Sequence, residues 1–421
     1  MVHRTTSIVG TPDVLVIGAG VIGLACAFRL AQEGKRVLLL DRATPGRGAS
    51  FGNAGHVATE QIFPLASPEV VRGALRYLLD AESPLRIRPA YLASILPWLL
   101  RFAWSSRRSA FERGVSALSS LQKTSRADLA SLLDAAGASH LMHMDGHLVL
   151  VENANSIVAA KQEMAALAKA GIDATWISAE QVNEIAPGIT ARVEGALQFT
   201  GTGHVDDPFA VCQSLHEAFL AAGGNFLQTD VSAINQHRDG FVAATSGGKS
   251  QTAKHLVLSC GAWSKPLAAQ LGYSLPLDTE RGYHITIPGA VAGFKIPIAS
   301  YERKIILTPM SCGLRMTGTV EFGGLTLPPD PNRFALLTQH MHALVANVPT
   351  NDKTTWMGFR PSLPDHLPVL GRVPDGRNLY FAFGHQHLGL TLAGVTARII
   401  AAQVLGRDPE IDLTPFSPAR F

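Results

Sequence analysis

Gly18-Ala19-Gly20-Val21-Ile22-Gly23 sets three glycines at GxGxxG spacing between an apolar run, residues 13–17 (DVLVI), and an amphipathic stretch, residues 21–32. There Gly18 permits the tight turn, Gly20 lets the backbone approach a pyrophosphate, and Gly23 lets helix and strand pack closely. The phosphate would rest on the free N–H groups and positive end of the helix. Asp41 follows the next apolar run, residues 37–40 (VLLL), where a carboxylate can accept hydrogen bonds from a ribose 2′-hydroxyl. An acid at that point also disfavours a 2′-phosphate. The chemistry this spacing predicts is dinucleotide binding.

Two further glycine-rich segments extend the site. Residues 46–56 (GRGASFGNAGH) form a loop carrying hydroxyl and amide donors. Such a loop suits a cofactor that reaches past its pyrophosphate, as FAD does, and is odd for a nicotinamide enzyme. Residues 384–391 (GHQHLGLT) lie between an apolar strand and a terminal helix expected to begin near Leu388. A helix N-terminus there would aim N–H groups and a positive dipole end at a ligand, and would stabilise the negative N1–C2=O edge of a reduced flavin. His385 and His387 at HxH spacing lack a third ligand nearby, and His140, His143 and His147 read as surface or strand histidines. No metal site is read from either group.

The elements that must position these residues open with a strand–helix–strand unit over residues 13–40, which calls for a right-handed crossover in an α/β layer. Residues 68–136 read mainly as helix, 146–151 as a strand and 155–170 as a helix. Residues 206–222 read as a helix with Asp206 as N-cap and Gly223-Gly224 as its stop. Short alternating runs follow at 225–228, 231–236 and 241–245, joined by turns at Arg238-Asp239-Gly240 and Gly247-Gly248. A buried strand over 255–259 comes next. Residues 282–319 read as several strands, 332–348 as a helix and 378–383 as a strand. With no repeat and no clean linker, two discontinuous domains are expected. The cofactor domain takes 1–62, 201–275 and 353–421, and the substrate domain takes 63–200 and 276–352.

Composition narrows the function classes. Of 421 residues, 47% are apolar and 16% charged, against roughly 25% charged in an average soluble protein. The surplus of apolar surface implies oligomer contacts, homo- or hetero-oligomeric, a membrane-facing patch, or a buried cofactor. A net charge of +3 without a basic, aromatic-interleaved run argues against nucleic acid as a partner. Arg101, Arg107, Arg108 and Arg113 read as a solvated helix face. Cys26, Cys212, Cys260 and Cys312 form neither CxxC nor metal spacing, so a reduced, cytoplasmic protein without its own iron–sulfur cluster is expected. Residues 1–11 lack the apolar core of a secretory leader. Residues 91–104 (YLASILPWLLRFAW) contain Pro97 and fall short of the ~17–25 residues of a membrane span. They read as a helix packed on its own core, or as a surface docking peripherally on the inner face of a membrane.

Taken together, these stretches resemble the D-amino-acid oxidase superfamily of FAD-dependent oxidoreductases, and within it the branch of the D-amino-acid dehydrogenase small subunit and glycine/sarcosine oxidases. The resemblance is carried by residues 13–42, by GASFGNAGH, HLVLSCGAWS, ERGYHITIP and GLRMTGTVEF, and by WMGFRPSLPDHLPVLGRVP and FGHQHLGLTLA. It spans nearly the whole chain. It implies a Rossmann-like FAD-binding domain of the GR2 type with an α+β substrate domain on a mostly antiparallel sheet. It implies FAD contacts at Gly18, Gly20, Gly23, Asp41, Arg42, Ser50, Asn53, Gly55 and His56, at Val231 and Gly261, and at Gly384, His385, Gly389, Leu390 and Thr391. His56 stands after the glycine rather than in a covalent-attachment motif, so non-covalent FAD is expected. The arginine of the family's G-x-R-P motif commonly binds the substrate carboxylate and maps to Arg360. A planar guanidinium matches a carboxylate bidentately and orients Cα towards flavin N5. Tyr283, His284 and Tyr301, with Arg281, are further candidates for the substrate pocket. A tyrosine of some relatives falls near Ile305, which leaves a second carboxylate contact open.

The resemblance therefore implies oxidation of a small D-amino acid, D-proline and hydroxyproline types included, with hydride passing from Cα to flavin N5 and an imino acid leaving. GNAG and RGYH favour a dehydrogenase. A glycine/sarcosine-type oxidase producing hydrogen peroxide and a flavin subunit of a multi-chain dehydrogenase are the alternatives. The electron acceptor would be a quinone, a protein or oxygen.

Overall fold

The computed structural model describes residues 11–79, 83–246 and 248–421. Residues 1–10, which carry most of the leader reading, and Gly247 of one expected turn lie outside the described residues.

Val14–Ile17 and Val37–Asp41 are short apolar strands buried on both faces, which is why they read as continuous hydrophobic runs. Val14 and Val16 pack into a helical layer built on Val21–Gln32, Pro208–Ala221 and Ala393–Val404. Leu15 and Ile17 point the other way, onto Ile234, Phe241 and Ala243 of a three-stranded antiparallel layer. Between these layers lies a six-stranded sheet in the order Asn225–Gln228, Val37–Asp41, Val14–Ile17, His255–Leu258, Leu379–Phe383, Val369–Arg372. The first five strands are parallel and the last is antiparallel to its neighbour. Strands from three distant parts of the chain thus share one sheet.

The second large sheet is mostly antiparallel and holds nine strands. At one end of this sheet Asp278–Pro288 pairs on one side with Gly313–Phe322 and on the other with the edge strand Thr354–Ser362. Period-two alternation divides these strands between two faces. Tyr283, Ile285, Ile287, Leu314 and Met316 pack with Leu337 and Met341 of the helix Pro331–Leu344. Glu280, Gly282, His284 and Thr286 face the opposite way, in register with Arg360, Gly358, Trp356 and Thr354.

Three local readings need correction. The N-cap of Pro208–Ala221 is Asp207, whose Oδ1 accepts from Phe209 N at 2.8 Å; Pro208 occupies the first helical position, so the residue before it must cap. Asp206 instead pairs with His143 Nε2 at 2.9 Å. The terminal helix starts at Ala393, not near Leu388. The intervening residues form turns, Leu388 N to His385 O and Leu392 N to Leu388 O, and Thr391 Oγ1 accepts from Ala58 N at 2.9 Å. The polar Ser250–Ala253 is a strand that no hydrophobic alternation announces.

Leu92–Ser105 is helical through Pro97. It buries Ile95 and Trp98 against Phe322. Leu92, Leu96, Leu100 and Trp104, spaced four apart on its other side, are each more than half exposed. Among the described residues no helix is long and apolar enough to cross a membrane.

Candidate active site

The turn after Val14–Ile17 is shaped by steric exclusion. Gly18 has φ +104°, and a Cβ there would lie 2.4 Å from Ser259 O; one on Gly23 would lie 1.7 Å from Gly18 O. Only glycine fits either position without moving backbone. The helix Val21–Gln32 starts from Gly20, which offers no capping side chain, and Ser50 Oγ accepts from Val21 N at 3.0 Å. Asp41 accepts from Ala19 N at 2.6 Å and Ala43 N at 2.8 Å, fixing the carboxylate at the carboxyl end of the sheet.

A cavity of about 610 Å³ opens at these strand ends, where doubly wound sheets bind their ligands. Its walls include Gly18, Gly20, Asp41, Arg42, Ser50, Asn53, Val231, Gly261, His385, Gly389 and Leu390. Arg42 lies over the Trp263 ring at 4.1 Å. The cavity runs from the helix N-terminus to Gly358, Phe359 and Pro361 of the second sheet. The phosphate cradle at one end and the second-sheet residues Trp356–Phe359 at the other fit an extended FAD. Gly23 stands behind the wall as packing. Gly384, at φ +84°, turns the chain against Leu363, and Thr391 ties the 385–392 turns to Ala58. Gly55 packs on Val205 O. His56, expected at the cofactor, is absent from the cavity wall; its ring pairs with Glu60.

Arg360, expected to hold the substrate, lies on the strand between Phe359 and Pro361 of the cavity wall but is not itself part of that wall. Its guanidinium lies over Gly282, where a Cβ would come within 2.5 Å of it. Nη1 donates to Thr319 O at 3.4 Å. Thr319 sits at an irregularity in the Gly313–Phe322 pairing with φ +60°, a conformation β-branched residues avoid and one that marks functional sites. Arg360 makes no ion pair within 4 Å among the described residues. Its register partner Glu280 is held by Ser362 Oγ at 2.6 Å and His366 Nε2 at 3.5 Å. Burial lowers the Arg360 pKa and Glu280 opposes that shift, leaving a charged guanidinium with donors to spare.

Other candidates divide by strand face. His284 lies on the Arg360 face, stacked on Trp356 at 5.2 Å with Nδ1 3.1 Å from Gly52 O. Tyr283 and Arg281 do not: both turn to the opposite face, where Tyr283 Oη and Arg281 Nη1 bond Glu321 at 3.0 and 3.1 Å. Alternation forbids either from joining Gly282 and His284. Ile305 is buried in that same far-face core, so it supplies no second carboxylate contact. Tyr301 packs in a separate cluster with Ile62 and Phe199, under Lys304 Nζ at 4.2 Å.

Two residues of the site were not anticipated. Arg315 donates to Asn53 O at 2.8 Å and Thr286 Oγ1 at 3.2 Å, fastening the glycine-rich loop to the sheet. Trp356 fills the space above Gly52 and Gly358. The glycines were visible as turn-formers, but nothing in the sequence marks them as seats for an indole.

The imidazoles here are neutral. Burial pushes His284 and His385 down to about 3, with Arg315 adding to the effect at His284. Unfolded, both titrate near ~6.5. As pH falls through ~6.5 towards 3 the unfolded chain binds protons that the folded chain refuses, and each histidine removes up to ~1.4 kcal/mol of stability per pH unit. The melting temperature is expected to drop by several degrees between pH 7.5 and 5.5 in a calorimetric series; a flat profile would contradict these burials.

The chain is similar to known proteins over nearly its whole length. The chain is 32% identical to a D-amino-acid oxidase of Bradyrhizobium diazoefficiens over 97% of its length and 98% of that protein. It is 30% identical to a D-amino acid dehydrogenase 2 of Ralstonia nicotianae, covering 97% and 100%. The crystal structure of glycine oxidase from Geobacillus kaustophilus superposes with a TM-score of 0.75 at 24% identity, over 98% of this chain and 99% of that one. The family DAO, FAD dependent oxidoreductase, matches residues 13–403. The chain belongs to the DAO family of FAD-dependent oxidoreductases.

Proposed function

We propose that this FAD-dependent amino-acid oxidoreductase oxidises a small D-amino acid, D-proline and hydroxyproline types included, to its imino acid. The observation that carries the reading is Arg360, a half-buried guanidinium that makes no ion pair among the described residues and stands on the strand between Phe359 and Pro361 of the cavity wall. It holds the substrate carboxylate by a charge-assisted, bidentate contact and presents Cα to the cofactor. Non-covalently bound FAD supplies the hydride acceptor at N5. The protein provides orientation and a dry site. With pKa values pushed down to about 3, His284 and His385 are poor bases, so the proton of the substrate ammonium would pass to solvent before hydride transfer. The two domains proposed from the sequence would then meet at the cofactor.

A dehydrogenase is favoured over an oxidase. Turnover with an artificial quinone acceptor, yielding keto acid and ammonia from an acyclic substrate or a cyclic imine from D-proline, should greatly exceed hydrogen peroxide formation in air. Peroxide formation at a matching rate would instead select the oxidase reading, and turnover only with co-purified chains would select the assembly subunit.

We also infer peripheral contact with an anionic lipid surface through Leu92–Ser105. Its exposed ridge of Leu92, Leu96, Leu100 and Trp104 is bordered by exposed Arg101, Arg107 and Arg108, the pairing of apolar and cationic groups that interfacial helices use. Burying one leucine contributes ~1.5–3 kcal/mol. Leu96→Glu with Leu100→Glu should therefore cut co-sedimentation with phosphatidylglycerol vesicles more than ~10-fold; equal binding would sink the inference.

A further inference from the structure

Beside the active site, three side chains from distant parts of the sequence converge without a stated task. His56 ends the glycine-rich loop and Glu60 follows it, and His147 opens the strand His147–Val151 of the second sheet. One ligand atom from each lies within 4.8 Å of the other two. His56 Nε2 stands 3.2 and 3.3 Å from the two Glu60 oxygens. The His147 ring meets His56 edge to face, 4.4 Å between centroids. Glu60 is 6% and His147 4% exposed.

Hydrogen bonding leaves this cluster incomplete. Among the described residues neither ring nitrogen of His147 has a hydrogen-bond partner, nor does Nδ1 of His56. A buried polar group left unpaired is costly and calls for a ligand, a water or an ion. Phe199 stacks on His147 at 5.8 Å and Ile62 packs with Phe199, so part of the surround is apolar and does little to screen a charge. The Glu60 carboxylate is the anion that a cation would need.

We propose that His56, Glu60 and His147 bind a divalent transition-metal ion of the zinc type. Two imidazole nitrogens and one carboxylate suit zinc, whereas magnesium and calcium prefer oxygen donors. At metal–ligand bonds of ~2.0–2.2 Å, tetrahedral ligands stand ~3.3 Å apart, close to the His56–Glu60 spacing already present. Three protein ligands leave a fourth position open. The ion ties the segment leading out of the cofactor loop to the second sheet.

The test reads binding and does not depend on the substrate. FAD-loaded protein is stripped with chelator, given zinc alone and gel-filtered. About one zinc per chain should be retained. In competition with a chromophoric chelator, Glu60→Gln and His147→Gln should each weaken zinc by at least ~10-fold while keeping their flavin. Diffraction at the zinc edge should place the ion among the three side chains. Zinc lost on gel filtration, unchanged affinity in both variants, or an anomalous peak elsewhere would overturn the site. Should the variants lose flavin or fold, the anomalous map of the parent protein decides.

Discussion

Arg360→Ala is expected to lower kcat/KM for the amino-acid substrate about 10²–10⁴-fold, because removing one partner of a buried ion pair costs about 3–5 kcal/mol. Arg360 is free to take that carboxylate because Glu280, its register partner, is occupied by Ser362 and His366. Arg360→Lys should recover only part of the loss, since a point charge does not reproduce the bidentate fork. Both variants should retain FAD, for the side chain sits on the sheet face rather than in the phosphate cradle. Anaerobic flavin-reduction kinetics check this. A loss below tenfold in the alanine variant would mean that the carboxylate is held elsewhere.

Gly18→Ala and Gly23→Ala are expected to abolish stoichiometric FAD. A methyl group on Gly18 would meet Ser259 O, and one on Gly23 would meet Gly18 O. Neither obstacle is a flexible side chain, so the turn must open and the pyrophosphate cradle is lost. The Gly18 variant adds the strain of φ +104°. Flavin-to-protein absorbance ratios, read with circular dichroism, check the expectation. Gly201→Ala is the control, since nothing lies within 4 Å of its added Cβ and it stands off the cavity wall; it should keep its FAD. Full FAD in either cradle variant would contradict the turn's role.

Legibility from the sequence followed the range of the interactions. The GxGxxG turn and Asp41 were readable because local spacing places them: one strand, one turn and one helix suffice. The discontinuous sheet could be expected because its strands are continuous apolar runs, buried on both faces. Side-chain direction within the second sheet was harder. Tyr283 and His284 are adjacent and equally plausible as text, and only pairing with Thr354–Ser362 sends one to the active face and the other to Glu321. Arg315 and Trp356 acquire their roles from a loop some 260 and 300 residues away, a relation no periodicity records. The His56, Glu60 and His147 cluster was hidden for the same reason. His147 was grouped in sequence with His140 and His143, whereas the sheets group it with His56. The late start of the terminal helix reflects Thr391, whose hydroxyl serves Ala58.

The most direct measurement is the visible flavin spectrum of the purified protein during anaerobic titration with D- and L-amino acids, D-proline, hydroxyproline isomers, glycine and sarcosine. Bleaching of the flavin band by a D-amino acid, D-proline or a D-hydroxyproline, and its near loss in Arg360→Ala, is the predicted result. Purified protein without bound flavin, or a flavin band that no member of the panel bleaches, would contradict the account.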